Sequence, residues 1–123
     1  MSKIIVEHSV KSSLYDEVAQ KKKGILKDNC ITYNVDGIIR INVNDNIVLF
    51  EKENDSIKIN LKFEKNKSII TKYFIKDLNT EIKLETRTKE LIINENDIYI
   101  KYDLYMNGEF SDTFEYKIEW RDL

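Results

Sequence analysis

Three polar side chains, Thr88, Tyr102 and Asp112, fall on strand faces that otherwise carry mainly apolar residues. In segment 98–106 apolar and polar residues alternate, and Tyr102 is the member of the apolar set that carries a hydroxyl group. In the last segment the corresponding set is apolar or aromatic except at Asp112. This alternation predicts antiparallel strands with one buried face. The chemistry that an alcohol, a phenol and a carboxylate bring to such a face is hydrogen bonding.

Two interpretations of this polar set stay open. In the first, Asp112 accepts hydrogen bonds from the hydroxyl groups of Tyr102 and Thr88, so that three buried polar groups satisfy one another. In the second, the set faces a cavity and binds the polar end of a small ligand, because a barrel of about eight strands is either filled by side chains or holds one small ligand. Thr88, Tyr102 and Asp112 are therefore the candidate ligand-binding residues.

The rest of the sequence offers little for catalysis. His8 is the only histidine, and it shares a strand face with Ile4, Val6 and Val10, which favours a packed or rim histidine over a general base. A single histidine and a single cysteine, Cys30, form no catalytic triad, and no zinc spacing, phosphate-binding loop or calcium loop occurs. We therefore expect no catalytic residues, no metal and no cofactor in a protein that is not an enzyme.

The composition limits partners and location. The chain has 123 residues, of which 41% are hydrophobic and 34% charged, and this predicts a single folded domain over residues 1–123. Twenty Lys and Arg against 22 Asp and Glu give a formal net charge of -2, which argues against nucleic-acid binding. The start, MSKIIVEHSV, lacks the apolar region of a secretory signal, and no apolar run reaches the roughly 18 residues of a membrane span. We expect a cytoplasmic protein without nucleic-acid or membrane partners.

Alternating segments recur between short turns that are rich in Asn and Asp. With no proline and only three glycines, the turns must fall on Asn and Asp, which tolerate a left-handed backbone. About nine strands joined by such turns predict an all-β antiparallel up-and-down meander, which must close into a barrel or fold into a sandwich. Residues 13–22 fit either a strand or a short helix, and a strand is favoured. The predicted strands are 3–11, 13–22, 28–35, 38–43, 46–53, 56–63, 80–88, 98–106 and the closing segment to Trp120.

The hairpin at Asn107-Gly108 sets the register of the last two strands. A two-residue loop would place the apolar side of one strand opposite the polar side of the next. A three-residue loop, 106–108, with Gly108 left-handed in a bulge, removes this conflict. That register predicts that Tyr102 lies opposite Asp112.

The strand before this hairpin changes phase. Its apolar residues are even-numbered in segment 82–88 but odd-numbered in 91–93. We therefore predict a second bulge near Lys89-Glu90. Beyond it Thr88 lies beside Tyr102, so the predicted polar row crosses three strands.

The stretch ETRTKELIINENDIYIKYDLYMNGEFSDTFEYKIEW resembles the C-terminal pattern of the YwiB-like bacterial β-barrels, a family of unknown function allied to the lipocalin-type calycins. In that pattern a strand with threonine leads to a final hairpin, a glycine turn and a closing aromatic strand. Upstream, Gly24 with Tyr33 resembles the family's Gly-then-Tyr segment, and Phe63 with Tyr73 resembles its Phe-to-Tyr pair. The resemblance covers nearly the whole chain and implies a small closed or nearly closed barrel in the bacterial cytoplasm, with no known reaction. With it, the predicted fold is an all-β antiparallel up-and-down barrel of the lipocalin-like (calycin) type, with about eight to ten strands.

Three segments depart from the family pattern. Residues 34–37, Asn-Val-Asp-Gly, stand where a longer acidic loop is usual, and residues 52–54, Lys-Glu-Asn, stand where an Arg and a Gly are usual. Asp77 stands where a Gly would follow Tyr73. Any family site at these positions is therefore incomplete in this chain.

Two functional hypotheses follow. The leading one is a non-enzymatic cytoplasmic barrel that binds a small apolar or amphipathic ligand in its interior. The alternative is a structural or protein-interaction module, either a monomer or a homodimer formed through an exposed sheet face or edge. Tyr99 and Tyr105, with Tyr15 as a third, motivate this alternative, because outward aromatic side chains mark contact surfaces.

Overall fold

Ten antiparallel strands form one closed sheet in a computed structural model, which describes residues 1–14 and 18–123. Each strand pairs with its neighbours in sequence, and the first pairs with the last, which closes an up-and-down barrel. The predicted all-β antiparallel barrel is confirmed. The strands of the described residues are β1 (Ser2–Ser12), β2 (Val18–Lys27), β3 (Cys30–Asn34), β4 (Ile38–Asn44), β5 (Ile47–Glu53), β6 (Ile57–Glu64), β7 (Ser68–Ile75), β8 (Thr80–Ile93), β9 (Asp97–Met106) and β10 (Glu109–Asp122).

The up-and-down order gives the barrel two distinct ends. The odd-numbered strands finish at one end, which we call the upper end. β1 begins and β10 finishes at the opposite end, where Ile4 pairs with Asp122, and we call this the lower end. Residues near the ends of β1, β3 and β5 therefore lie toward the upper end, although they are distant in sequence.

The turns use Asn and Asp as predicted. Every non-glycine residue with a positive φ among the described residues is one of these two types, which tolerate a left-handed backbone better than other residues with a side chain. In the turn between β5 and β6, the side chain of Asn54 instead accepts hydrogen bonds from the backbone of Ser56 and Ile57, at 2.8 and 3.0 Å. The left-handed residues are Asp28, Asp36, Asp45, Asn66, Asn79 and Asn107.

The predicted three-residue loop of the last hairpin is wrong. Met106 pairs directly with Glu109, and Asn107 and Gly108 have φ values of 50° and 85°, which suit a two-residue type I′ turn. The required change of phase occurs within β10, where the register shifts between Phe110 and Asp112. A two-residue Asn-Gly turn fits the twist of the strands without strain. The extra residue that the side-chain alternation requires therefore lies in the strand, as a bulge, and not in the turn.

The predicted bulge in β8 is confirmed. The register between β8 and β9 shifts between Thr88 and Glu90, and Thr88 pairs with Tyr102 as expected. Beyond the shift Leu91 pairs with Ile100, so apolar side chains from both halves of β8 face the interior.

The early strands agree less closely with prediction. Residues 18–22 of the segment 13–22 belong to β2, Ser13 and Leu14 precede it, and residues 15–17 lie outside the described residues. The alternation pattern does not predict strand β7, because the neighbouring residues Ile69 and Ile70 interrupt it.

Strand β6 pairs with β7 only at its start, from Ile57 to Ile59. Further along, the Thr86 hydroxyl of β8 donates a hydrogen bond to the backbone carbonyl of Lys62 at 2.6 Å. The Asn66 amide donates to the Thr88 carbonyl at 2.9 Å. Hydrogen bonds from β8 to β6, and from β8 to the turn between β6 and β7, therefore replace part of the β6–β7 ladder.

Gly24 in β2 lies where three strands approach closely. It pairs with Ile4 on one side and Tyr33 on the other. A Cβ atom at this position would lie 2.8 Å from the backbone oxygen of Thr32 and 3.1 Å from a methyl group of Val6. Backbone atoms cannot move aside cheaply, so the absence of a side chain is a packing requirement.

We expect the substitution Gly24→Ala to lower the free energy of unfolding by about 1–3 kcal/mol, the range typical of overpacked sites. Urea denaturation monitored by tryptophan fluorescence measures this change. Lys23→Ala, at the exposed neighbouring position, is the matched control and should stay within about 0.5 kcal/mol of the native protein. An unchanged midpoint for Gly24→Ala would contradict the proposed close approach.

Candidate functional site

The predicted polar row is only partly formed. Thr88 and Tyr102 are adjacent and buried, with exposed fractions of 3% and 7%. Asp112 is also buried, but it pairs with Leu104, and the partner of Tyr102 on β10 is Phe114. The predicted pairing of Tyr102 with Asp112 is therefore wrong, because the phase change lies in β10 and not in the turn.

Asp112 is held by the end of β1. Its carboxylate accepts hydrogen bonds from the Ser13 hydroxyl and, at 2.7 Å, from the Thr113 amide. These donors, the Ser13 hydroxyl above all, keep the pKa of Asp112 below its ordinary value. The partners expected from the sequence, hydroxyl groups of Tyr102 and Thr88, are replaced by Ser13.

Thr88 and Tyr102 differ in what they can offer a ligand. The Thr88 hydroxyl is buried without a hydrogen-bond partner among the described residues, and Thr88 does not line the interior cavity described next. Tyr102 does line it, packed against Phe63 and Phe114 with ring centroids 4.7 and 5.5 Å apart. Burial raises the pKa of the Tyr102 phenol, which therefore stays protonated.

A cavity of about 520 Å³ occupies the barrel interior. Its wall is almost entirely aliphatic and aromatic, and Lys52 is the charged residue among those that line it. The lining residues are Val10, Ile41, Val48, Phe50, Lys52, Ile59, Leu61, Phe63, Ile98, Ile100, Tyr102, Phe114, Tyr116 and Ile118.

A hydrogen-bonded chain of three side chains adjoins this cavity. The Nδ1 atom of His8 lies 2.8 Å from the Tyr33 hydroxyl oxygen, which lies 2.6 Å from the hydroxyl oxygen of Tyr116. The three residues come from β1, β3 and β10, and all are buried. Tyr116 also lines the cavity, so the chain ends at the cavity wall.

Burial sets the protonation of this chain. It raises the pKa of Tyr33 to about 12 and that of Tyr116 well above its ordinary value, so both phenols are neutral. Burial also lowers the pKa of His8, and the positive charges of Lys52 and Lys22 lower it further. The three hydrogen-bonded side chains are therefore uncharged at neutral pH.

The sequence patterns above do not predict the hydrogen-bonded side chains or the inward position of Lys52. His8 lies on an inward strand face, as its position among apolar residues predicts, but its partners lie 25 and 108 positions away in the sequence. The alternation of β5 could have identified Lys52. It continues the inward series of Val48 and Phe50, where a charged residue is unexpected.

Other chemistry has little support among the described residues. They contain no group of three or more His, Cys, Asp or Glu residues able to hold a metal ion. Cys30 is half-buried, and its Sγ lies 3.8 Å from the Thr32 hydroxyl. No helix that is long and apolar enough to cross a membrane occurs in this part of the chain.

The closed sheet of ten antiparallel strands around an interior cavity defines a small lipocalin-like β-barrel. The chain belongs to the family described as Domain of unknown function (DUF1934), which matches residues 10–118. Comparison with curated proteins gives no significant match.

A solved structure has the same fold. It is the crystal structure of ywiB protein from Bacillus subtilis, with a TM-score of 0.63, 18% sequence identity, and coverage of 98% of this chain and 90% of that chain. The resemblance to YwiB-like barrels of unknown function is thereby confirmed.

His8 should make stability depend on pH. Its pKa is lower in the folded protein than the 6.5 of an unperturbed histidine, so the unfolded chain takes up the proton first as the pH falls. We expect the free energy of unfolding to decrease from neutral pH to about pH 5, and His8→Gln to lack this component.

Urea denaturation at several pH values measures this effect, and the slope against pH is the readout. His8→Gln also loses a hydrogen bond, which lowers its stability at every pH. Parallel curves for the two proteins between neutrality and about pH 5.5 would show that His8 titrates alike in the folded and unfolded states.

Proposed function

We propose that this protein is a non-enzymatic barrel that binds a small apolar or amphipathic molecule in its interior. The observation that carries the proposal is the cavity of about 520 Å³, which lies within the range of roughly 300–1,000 Å³ that small-molecule sites occupy. Protein interiors rarely keep voids larger than a water molecule, so a space of this size favours an occupant.

The wall determines what such an occupant must be. Ile41, Val48, Ile98 and Ile118 offer no hydrogen bonds, so a molecule held along them must itself be apolar. Tyr102, the predicted candidate residue that lines the cavity, stacks its ring on that of Phe114 in this wall.

A binding role rather than catalysis is supported by the surroundings of His8. Its nearest polar partner is a phenol with a raised pKa, and not a serine or cysteine nucleophile. We also propose a cytoplasmic location, because a chain with one cysteine has no intramolecular disulfide to lose in a reducing compartment.

Filling the cavity tests the proposal. We expect Nile red, a neutral apolar dye, to bind the native protein saturably with increased fluorescence, and Leu61→Trp to weaken this binding at least tenfold. Leu61 lines the cavity, so the larger indole occupies the space that the dye would use.

Leu49→Trp is the matched control. Leu49 lies on β5, next to β6, and is 42% exposed on the outer face, where the same change leaves the cavity open. We expect native affinity for this variant. Equal affinity of the dye for all three proteins, or no binding to any of them, would reject interior binding.

A second candidate, association through the outer face, is supported by one aromatic cluster. Phe110 is 57% exposed and packs edge-on against Tyr105, with centroids 5.6 Å apart, and the Arg87 guanidinium lies 4.0 Å from the centre of the Tyr105 ring. Tyr99 donates a hydrogen bond to Glu115 at 2.8 Å, and Tyr15 lies outside the described residues. Because β1 pairs with β10, the outer face is the surface available for such contact.

Light scattering over a concentration series tests this second candidate. Exposed aromatic side chains contribute strongly to interfaces, so we expect a dimer whose dissociation constant rises at least tenfold in Phe110→Ser. Ile70→Ser, at another exposed apolar position, should leave the dimer intact. A monomer at the highest attainable concentration would reject this candidate.

A further inference from the structure

Most of the cavity wall is apolar, but two of its residues carry polar groups. Ile98 and Ile118 belong to the apolar part of the wall and are almost completely buried. Lys52 on β5 and Tyr116 on β10, whose hydroxyl is bonded to that of Tyr33, bring polar groups to the same wall. The cavity therefore combines a surface that suits a hydrocarbon with groups that suit a polar head group.

Lys52 brings a positive charge to the cavity wall. Its inward position is set by pairing with Ile39 on one side and Ile59 on the other. The ion pairs among the described residues involve other lysines and arginines and leave Lys52 without a carboxylate partner. Because Lys52 is half-buried, its ammonium group favours an anion as its neighbour.

The hydrogen-bonded chain adds a donor beside the same cavity. When Nδ1 of neutral His8 carries its proton, it donates to Tyr33, Tyr33 donates to Tyr116, and the Tyr116 hydroxyl proton is left for a further acceptor. The opposite tautomer reverses both bonds and leaves Tyr116 without a free proton. An anionic acceptor in the cavity therefore selects the Nδ1–H tautomer.

Asp112, the buried carboxylate among the residues that the structure describes, does not oppose an anion in the cavity. Asp112 is turned toward Ser13 and Thr113, whose groups donate to it, and it is not among the lining residues.

We infer that the cavity binds a single-chain anionic amphiphile, a carboxylate on an acyl chain, with its head group held by Lys52 and Tyr116 and its tail held along the apolar wall. This inference rests on the proposed function, because it requires an interior ligand. It adds the charge of the ligand and the two groups that recognise it.

Head-group chemistry is tested by displacing Nile red with decanoate and with decanol, which share a chain length but differ in charge. We expect decanoate to bind the native protein at least tenfold more tightly than decanol. Lys52→Met should abolish most of this preference, with a loss of roughly tenfold in decanoate affinity, while leaving decanol and the dye unaffected.

Lys62→Met is the matched control, because it removes the same charge from an outward position on the neighbouring strand β6. It should keep the preference for decanoate. Equal binding of decanoate and decanol by the native protein, or equal losses in the two lysine variants, would overturn the inference while dye binding still supports an interior site. Failure of the dye itself to bind would instead reject the proposed function.

The tautomer of His8 gives an independent readout. Because His8 is the only histidine, its two ring nitrogens give assigned signals in ¹⁵N NMR spectra of the full chain. We expect decanoate, and not decanol, to shift His8 toward the Nδ1–H form in the native protein. In Tyr116→Phe the shift should be absent, and a shift of equal size there would contradict the role given to the Tyr116 hydroxyl.

Discussion

Side-chain alternation in a closed sheet is the constraint on which the rest of this structure depends. Every strand has a neighbour on both sides, so a shift of one residue would exchange the inward and outward faces of a whole strand. Bulges next to Thr88 and at Ser111 absorb two such shifts. Because of them, Leu91 still faces the core after the change of phase, and Asp112 turns inward although Phe110 does not.

The same constraint favours pairing among the polar groups inside the barrel, with the Thr88 hydroxyl as an exception among the described residues. A buried donor or acceptor without a partner costs about 1–3 kcal/mol, and a fully buried inward position leaves no route to bulk water. His8, Tyr33 and Tyr116 meet this requirement through one chain that joins three strands. The small residue Gly24 contributes by leaving space against the Tyr33 side chain. The polar chain and the close approach of the strands thus depend on each other.

The sequence was sufficient for the fold but only partly for the site. Alternation and the Asn and Asp turns predict most strands, and the change of parity predicts the β8 bulge, because these are local properties. The Asn107-Gly108 hairpin shows the limit: parity requires one extra residue but does not say whether it lies in the turn or in the strand. The His8–Tyr33 contact depends on strand tilt and stagger around the closed barrel, which no local pattern encodes.

Barrel topology also explains how a charged group and a chain of hydroxyl groups come to share one interior. Ile39 on β4 pairs with Tyr33 of β3 on one side and with Lys52 of β5 on the other, so these residues lie in one row of the sheet although they are distant in sequence. The cavity wall also carries isoleucines such as Ile98 and Ile118, which offer no polar atom to stabilise a head group. An amphiphile that placed its charge against these isoleucines would lose its solvation without compensation, whereas a carboxylate beside Lys52 would have an ammonium group as its neighbour. The polar positions of the wall therefore distinguish one placement of such a molecule from the others.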